Sequence, residues 1–228
     1  MPRPLNDPSP PSFVPWAGRR HPSPEELVER SQAFSEEIQR RRTTRQFSDR
    51  QVPREVIEHC LLAAGSAPSG AHQQPWHFVV VADAGLKAAL RSAAERAEAD
   101  FYAHAPAEWL AALAPLGTDA EKPYLEQAAC LIAVFAQRYG VNDDGSRRTH
   151  DYVSESVGIA TGFLLAALHL AGLATLTHTP SPMGFLADLL GRPTNERPMM
   201  LIVTGYAAID AQVPDLHRKP LDAIATFR

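Results

Sequence analysis

Cysteine is scarce in this chain. Cys60 and Cys130 are its two cysteines, each inside an apolar run, with no CxxC and no histidine at ligand spacing. This argues against a disulfide scaffold and a zinc site, and points to buried free thiols in a reducing, cytoplasmic setting. Lysine is scarce too: of 22 basic residues, only Lys87, Lys122 and Lys219 are lysines. Arginine is therefore the default cation, so an Arg cluster says less than usual and a lone Lys says more. There is no excess of one charge either. Lys+Arg 22 against Asp+Glu 26 leaves −4, which argues against a dominant nucleic-acid role. No apolar run of secretory length opens the chain; residues 1–24 carry eight prolines and read as an extended arm.

Several catalytic templates are missing as well. There is no GxSxG nucleophile elbow, no GxxxxGK[ST] phosphate loop, and no GxGxxG after a strand. His72 and His77 lie five apart with no third ligand, so no metal is expected.

What is present is a chain of 228 residues, 45% hydrophobic, long enough for a sizeable core in a single domain over 25–228. "SPEELVERSQAFSEEIQRR" opens with Ser23, Pro24 and Glu26 in capping-box order and reads as a helix; "PREVIEHCLLAAGSA" from Pro53 reads as a second, ending at Gly65. Strands are expected at His77–Ala82, Leu131–Gln137, Ala174–Thr179 and Met199–Tyr206, separated by helical stretches. The apolar run Val157–Thr177 is long enough to suggest a membrane span. Its many Gly and Ala residues, His169, and a strand-like end from Ala174 favour a fully buried helix, covered on its remaining side by a second copy. The class is α+β or α/β.

Three motifs carry chemistry. "RRRTTRQF" sets Arg40, Arg41, Arg42 and Arg45 around two threonines; guanidinium pairs and hydroxyls suit phosphate oxygens, and a solvated basic helix end reads equally well. "HRKP" at 217–220 is a second basic group. "APSGAHQQPWHFVVV" places Ser69, Gly70 and Ala71 in a turn before a strand, either a plain turn or a set of N–H groups offered to a ligand.

In this order, RRxxR, SAPSGAHxxPWxFVVV, a Gly/Ala-rich helix, TxTP and VPDLxRKPLD resemble the FMN-dependent nitroreductase superfamily, and within it the iodotyrosine deiodinase branch, from about Ile38 to Ala225. The resemblance implies an α+β, nitroreductase-like fold: a central mixed β-sheet flanked by helices, in a domain-swapped homodimer with an extended C-terminal arm over about 207–228. It implies FMN at the subunit interface. Arg41, Arg42, Thr43, Arg45 and Arg218 would hold phosphate and flavin edge; Pro68, Ser69 and Gly70 would come from the partner; Thr177, His178 and Thr179 would lie along the flavin, with Thr179 bonded to N5 and supporting electron transfer one at a time. The Ala71 N–H would hold a phenolate oxygen. Glu98, Tyr102 and Lys122, in a lid over about 97–122, would read an amino-acid zwitterion. The implied activity is reductive dehalogenation of halotyrosines, with NAD(P)H or a reductase partner as electron source. A general nitro- or quinone reductase and a flavin-binding or flavin-cleaving protein are the alternatives. The Ala-rich middle of the lid and His178, where a Thr is usual, depart from the branch pattern.

Overall fold

The computed structural model describes residues 10–18 and 20–228, so residues 1–9 and Arg19 of the expected arm lie outside the described residues. Residues 10–18 are exposed and form neither helix nor strand. Helix α1 (Pro24–Arg40) starts where the capping box requires. The Ser23 hydroxyl accepts the Glu26 N–H at 3.3 Å, and the Glu26 carboxylate accepts the Ser23 N–H at 2.9 Å. Helix α2 (Arg54–Gly65) buries Ile57, Cys60 and Ala64. Then follow β1 (Trp76–Val81), α3 (Ala84–His104), α4 (Ala107–Leu113), α5 (Tyr124–Gln127), β2 (Cys130–Gln137), β3 (Tyr139–Val141), β4 (Arg147–Thr149), α6 (Val153–Leu170), β5 (Ala174–His178), α7 (Gly184–Leu189) and β6 (Glu196–Gly205).

The main sheet has the order β1-β2-β6-β5, and each of these pairs is antiparallel. The parallel element of a mixed sheet is a single bridge, Thr43 to Thr175, beside β5. All four expected strands are present, with β6 reaching back to Glu196. The β3–β4 hairpin was not anticipated, because strands of three residues leave too little alternation to read.

Strand β2 is buried on both faces, which is why it reads as an unbroken apolar run. Leu131, Ala133 and Phe135 pack with Leu90, Tyr124, Leu125 and Leu186 under α3, α5 and α7. Cys130, Ile132 and Val134 pack on the other side with Ile57, Cys60, Val157, Leu164 and Leu168 of α2 and α6. Both thiols are free and buried, and burial alone pushes the Cys60 thiol up.

Within one chain α6 is buried along one side, and its remaining side is the one expected to meet a second copy. Val157, Ala160, Leu164 and Leu168 are buried, but Gly158, Ile159, Gly162 and Phe163 face outward, with open space around both glycines. Among the described residues α6 is the one helix long and apolar enough to cross a membrane by length and composition, and 33% of it is buried within the chain. The intrachain packing covers one side, where α2, the sheet and, through the His169–Glu37 contact, the end of α1 lie against it. The C-terminal segment is also open: beyond Val213 and Pro214 it is exposed, including Leu221, Ile224 and Phe227.

Candidate functional site

Residues 41–47 leave α1 and run beside β5, where the Thr44 N–H reaches the Thr175 carbonyl at 3.3 Å. This contact sets the Arg-rich motif against the exit of β5. A cavity of ≈ 330 Å³ forms there, lined by Arg41, Arg42, Thr43, Arg45, Thr177 and Arg218 among others. Arg42 donates to the Pro214 carbonyl, and Arg218 donates to the Gln39 and Arg41 carbonyls at 2.9 and 2.6 Å, so the tail is tied onto the end of α1. No carboxylate among the described residues pairs with Arg41, Arg42, Arg45 or Arg218. Burial, and then the neighbouring charges of Arg218 and Arg42, lower the Arg41 pKa. Crowded guanidinium groups with no acid among them suit a multiply charged anion such as phosphate.

A second cavity, ≈ 270 Å³, adjoins the first and shares Arg45, Leu116, Leu176 and Thr177 with it. Its polar wall is Glu98, Tyr102 and Lys122, and its apolar wall includes Phe101 and Trp109. Glu98 and Tyr102 sit one turn apart near the end of α3; Lys122 opens the approach to α5. The Lys122 ammonium lies 3.0 Å from the Glu98 carboxylate and 5.5 Å from the centre of the Tyr102 ring. It also donates to the Asp119 carbonyl and, at 3.4 Å, to the Thr118 hydroxyl. Lys122 is 1% exposed, which is rare for a lysine and requires the partners it has. Lys87, the other buried lysine, is structural: it donates to the Glu126 and Ala128 carbonyls at 2.8 and 2.7 Å and caps α5.

His178 and Thr179 line the same cavity. The His178 ring stands edge-on to Tyr124, with centroids 6.0 Å apart. Burial, then the charges of Lys122 and Arg45, push its pKa down to about 3, so it is a neutral imidazole. Its Nε2, like the Arg45 Nε, is buried without a partner. Both residues line the cavity, so a polar ligand bound there would find two unsatisfied atoms to bond.

The turn at Pro68–Ala71 is not part of either cavity within one chain. It packs instead against the start of α6: the Gly70 N–H donates to the Ser156 hydroxyl at 3.3 Å, and a Cβ on Gly70 would lie 2.9 Å from the Asp151 carbonyl oxygen. Ala71, His72 and Gln74 have φ of 48°, 55° and 49°, a conformation that strains a residue other than glycine. The Ala71 N–H donates to no acceptor among the described residues. The structure thus unites two groups of expected site residues, the arginines with Thr43, Thr177 and Arg218, and the Glu98–Tyr102–Lys122 set with His178 and Thr179. Pro68–Ala71 stands apart from both groups within one chain. Sequence reasoning missed Phe101, Trp109 and Tyr124; the aromatics inside an otherwise Ala-rich segment were the available signal.

The sequence pattern of the nitroreductase family matches residues 38–206. An iodotyrosine deiodinase from Haliscomenobacter hydrossis is 53% identical over 215 residues, covering 94% of this chain and 96% of that protein. Iodotyrosine deiodinase 1 from Homo sapiens is 44% identical over 213 residues, 92% of this chain and 73% of that one. Among solved structures, an oxidised iodotyrosine deiodinase bound to FMN and 3-iodo-L-tyrosine superposes with a TM-score of 0.75 at 29% identity, covering 85% of this chain and all (100%) of the other.

Proposed function

The chain belongs to the nitroreductase family, and from that premise we propose that it is an FMN-dependent reductive dehalogenase of halogenated tyrosines. The buried Glu98–Lys122 pair facing a cavity with aromatic walls carries the reading. An amino-acid zwitterion matches it charge for charge: Glu98 takes the ammonium, and Lys122 with Tyr102 takes the carboxylate. The aromatic wall then receives the ring.

The arginine cavity fits the phosphate of FMN, since Arg41, Arg42 and Arg218 have no acidic partner among the described residues, and a polar ring edge in the adjoining cavity would satisfy the orphaned Arg45 Nε and His178 Nε2. Thr43, Thr177 and Thr179 add hydroxyls along the same wall. FMN, when bound and reduced, supplies the two electrons that, with one proton, replace carbon–halogen by carbon–hydrogen and release halide. The Ala71 N–H, with no acceptor among the described residues, would stabilise the phenolate oxygen from a second copy, with Pro68, Ser69 and Gly70 beside it. His178 stays neutral, so it adds no charge to a site already holding Lys122 and Arg45.

This arrangement calls for a homodimer. The outward Gly158–Ile159–Gly162–Phe163 face of α6 and the exposed Leu221, Ile224 and Phe227 of a 207–228 arm supply the apolar surface for it. Residues 97–122 act as the lid over the substrate, and NAD(P)H or a reductase partner restores the flavin. The buried free thiols suit a cytoplasmic setting. The test is to titrate the oxidised, FMN-loaded protein with iodotyrosine and with 2-iodophenol while following flavin fluorescence, then to assay halide release under reducing conditions. Iodotyrosine should bind far more tightly, because a phenol without the zwitterion leaves buried polar groups unanswered. Equal binding of both, with turnover of nitroaromatics instead, would favour a general nitroreductase.

A further inference from the structure

Arg91, Glu95, Glu98 and Tyr102 fall at i, i+4, i+7 and i+11, so they make one stripe along α3. That stripe faces the segment entering α5. Glu98 meets the Lys122 ammonium, but the Lys122 main chain is held by a different group: its N–H donates to the Glu95 carboxylate at 2.7 Å. The same Glu95 oxygen accepts from the Arg91 guanidinium at 2.7 Å, and Arg91 reaches Glu126 of α5 at 3.3 Å. Burial works against the Glu95 charge, yet the hydrogen bonds from Arg91 and the Lys122 N–H, with their charges, hold its pKa below the usual carboxylate value. The ionised form of Glu95 is therefore favoured, and it is this form that grips the Lys122 N–H.

We propose that Glu95 is a positioning residue for substrate recognition: by clasping the Lys122 main chain to α3, it sets the Lys122 ammonium against Glu98 and Tyr102 and makes the two lid segments close as one body. The inference rests on the zwitterion reading of Glu98, Tyr102 and Lys122 proposed above. Glu95 itself does not line the cavity, so it acts through Lys122 alone. Lys122 has several possible rotamers and would sample them if its backbone were released, leaving the ligand carboxylate to reorder it on binding.

The FMN-loaded protein tests this with Glu95→Ala, Glu95→Gln and Arg91→Ala. Glu95→Gln keeps an oxygen that can accept the Lys122 N–H, whereas Arg91→Ala removes the ion pair and keeps the clasp. Iodotyrosine affinity, read by flavin fluorescence, should fall about tenfold in Glu95→Ala, the loss of one charge-assisted hydrogen bond, and by less than about threefold in the other two. FMN retention and 2-iodophenol binding should not change. Independently of any ligand, the Lys122 amide should exchange with solvent deuterium faster in Glu95→Ala than in wild type. The proposal is overturned if Glu95→Ala binds iodotyrosine like wild type, if it loses both phenols equally, if Arg91→Ala matches it, or if the Lys122 amide keeps its protection. A wild type that does not prefer iodotyrosine would instead sink the functional reading, and the exchange measurement would still decide whether Glu95 holds Lys122.

Discussion

Replacing Lys122 by methionine removes a charge while keeping much of the volume, and the structure sets the size of the effect. The ammonium and the Glu98 carboxylate are 3.0 Å apart, with side chains 2% and 14% exposed. At an effective dielectric of about 20, that pair attracts by about 5 kcal/mol, offset by the desolvation of both ions. Breaking a buried pair from one side costs about 3–5 kcal/mol, because the survivor is left charged and unpaired. The two sides are not equivalent. Lys122 retains the Asp119 carbonyl and the Thr118 hydroxyl if Glu98 is lost, whereas Glu98 has no second hydrogen-bond or ion-pair partner among the described residues. Lys122→Met should therefore lower the melting temperature by roughly 6–20 °C for a chain of this size, and Glu98→Gln by clearly less. The double variant should be more stable than Lys122→Met alone, since no orphaned charge remains. Melting is to be compared at one protein concentration and saturating FMN, as bound ligand and assembly both shift the midpoint. The same variants should weaken iodotyrosine by about tenfold or more and leave 2-iodophenol nearly unchanged. If Lys122→Met melts within a degree or two of wild type, or if the double variant is the least stable, the buried-pair reasoning fails.

Arg42→Ala and Arg218→Ala should each weaken FMN about tenfold to a hundredfold, seen as flavin lost on dialysis; full retention in both would remove the phosphate assignment. Light scattering should report twice the 24.9 kDa chain, and Ile159→Glu on the open face of α6 should yield a monomer with depleted FMN; a wild-type monomer that keeps its flavin would contradict the interface site. His178 is neutral when folded down to about pH 3 but takes up a proton at about 6.5 when unfolded, so more protons are bound in the unfolded state between those values and stability falls on acidification. Its share of that loss is about 1.4 kcal/mol per pH unit below 6.5, and His178→Asn should show a flatter acid limb in urea titrations at pH 4–7; an unchanged limb would show that the imidazole is not held neutral.

Sequence alone determined the parts governed by local physics. The capping box at Ser23–Glu26 started α1, and the unbroken apolar run of β2 announced a strand covered on both faces. The Arg and Thr motifs that line the arginine cavity stand out in the sequence because their residue types and order match a family pattern. The tertiary structure decided what depends on contacts distant in the chain. Lys122 is recognisable as unusual by composition, but its burial against Glu98, 24 positions away, arises from how α3 crosses the entrance to α5. Nothing local in the sequence distinguishes Glu95 from the other charges of α3; only the fold brings the Lys122 N–H to it. Helix α6 shows the limit from the other side. Its composition forecasts burial all round, yet one chain supplies neighbours for a single stripe and leaves Gly158, Ile159, Gly162 and Phe163 open, because burial depends on which surfaces are within reach as well as on side-chain hydrophobicity.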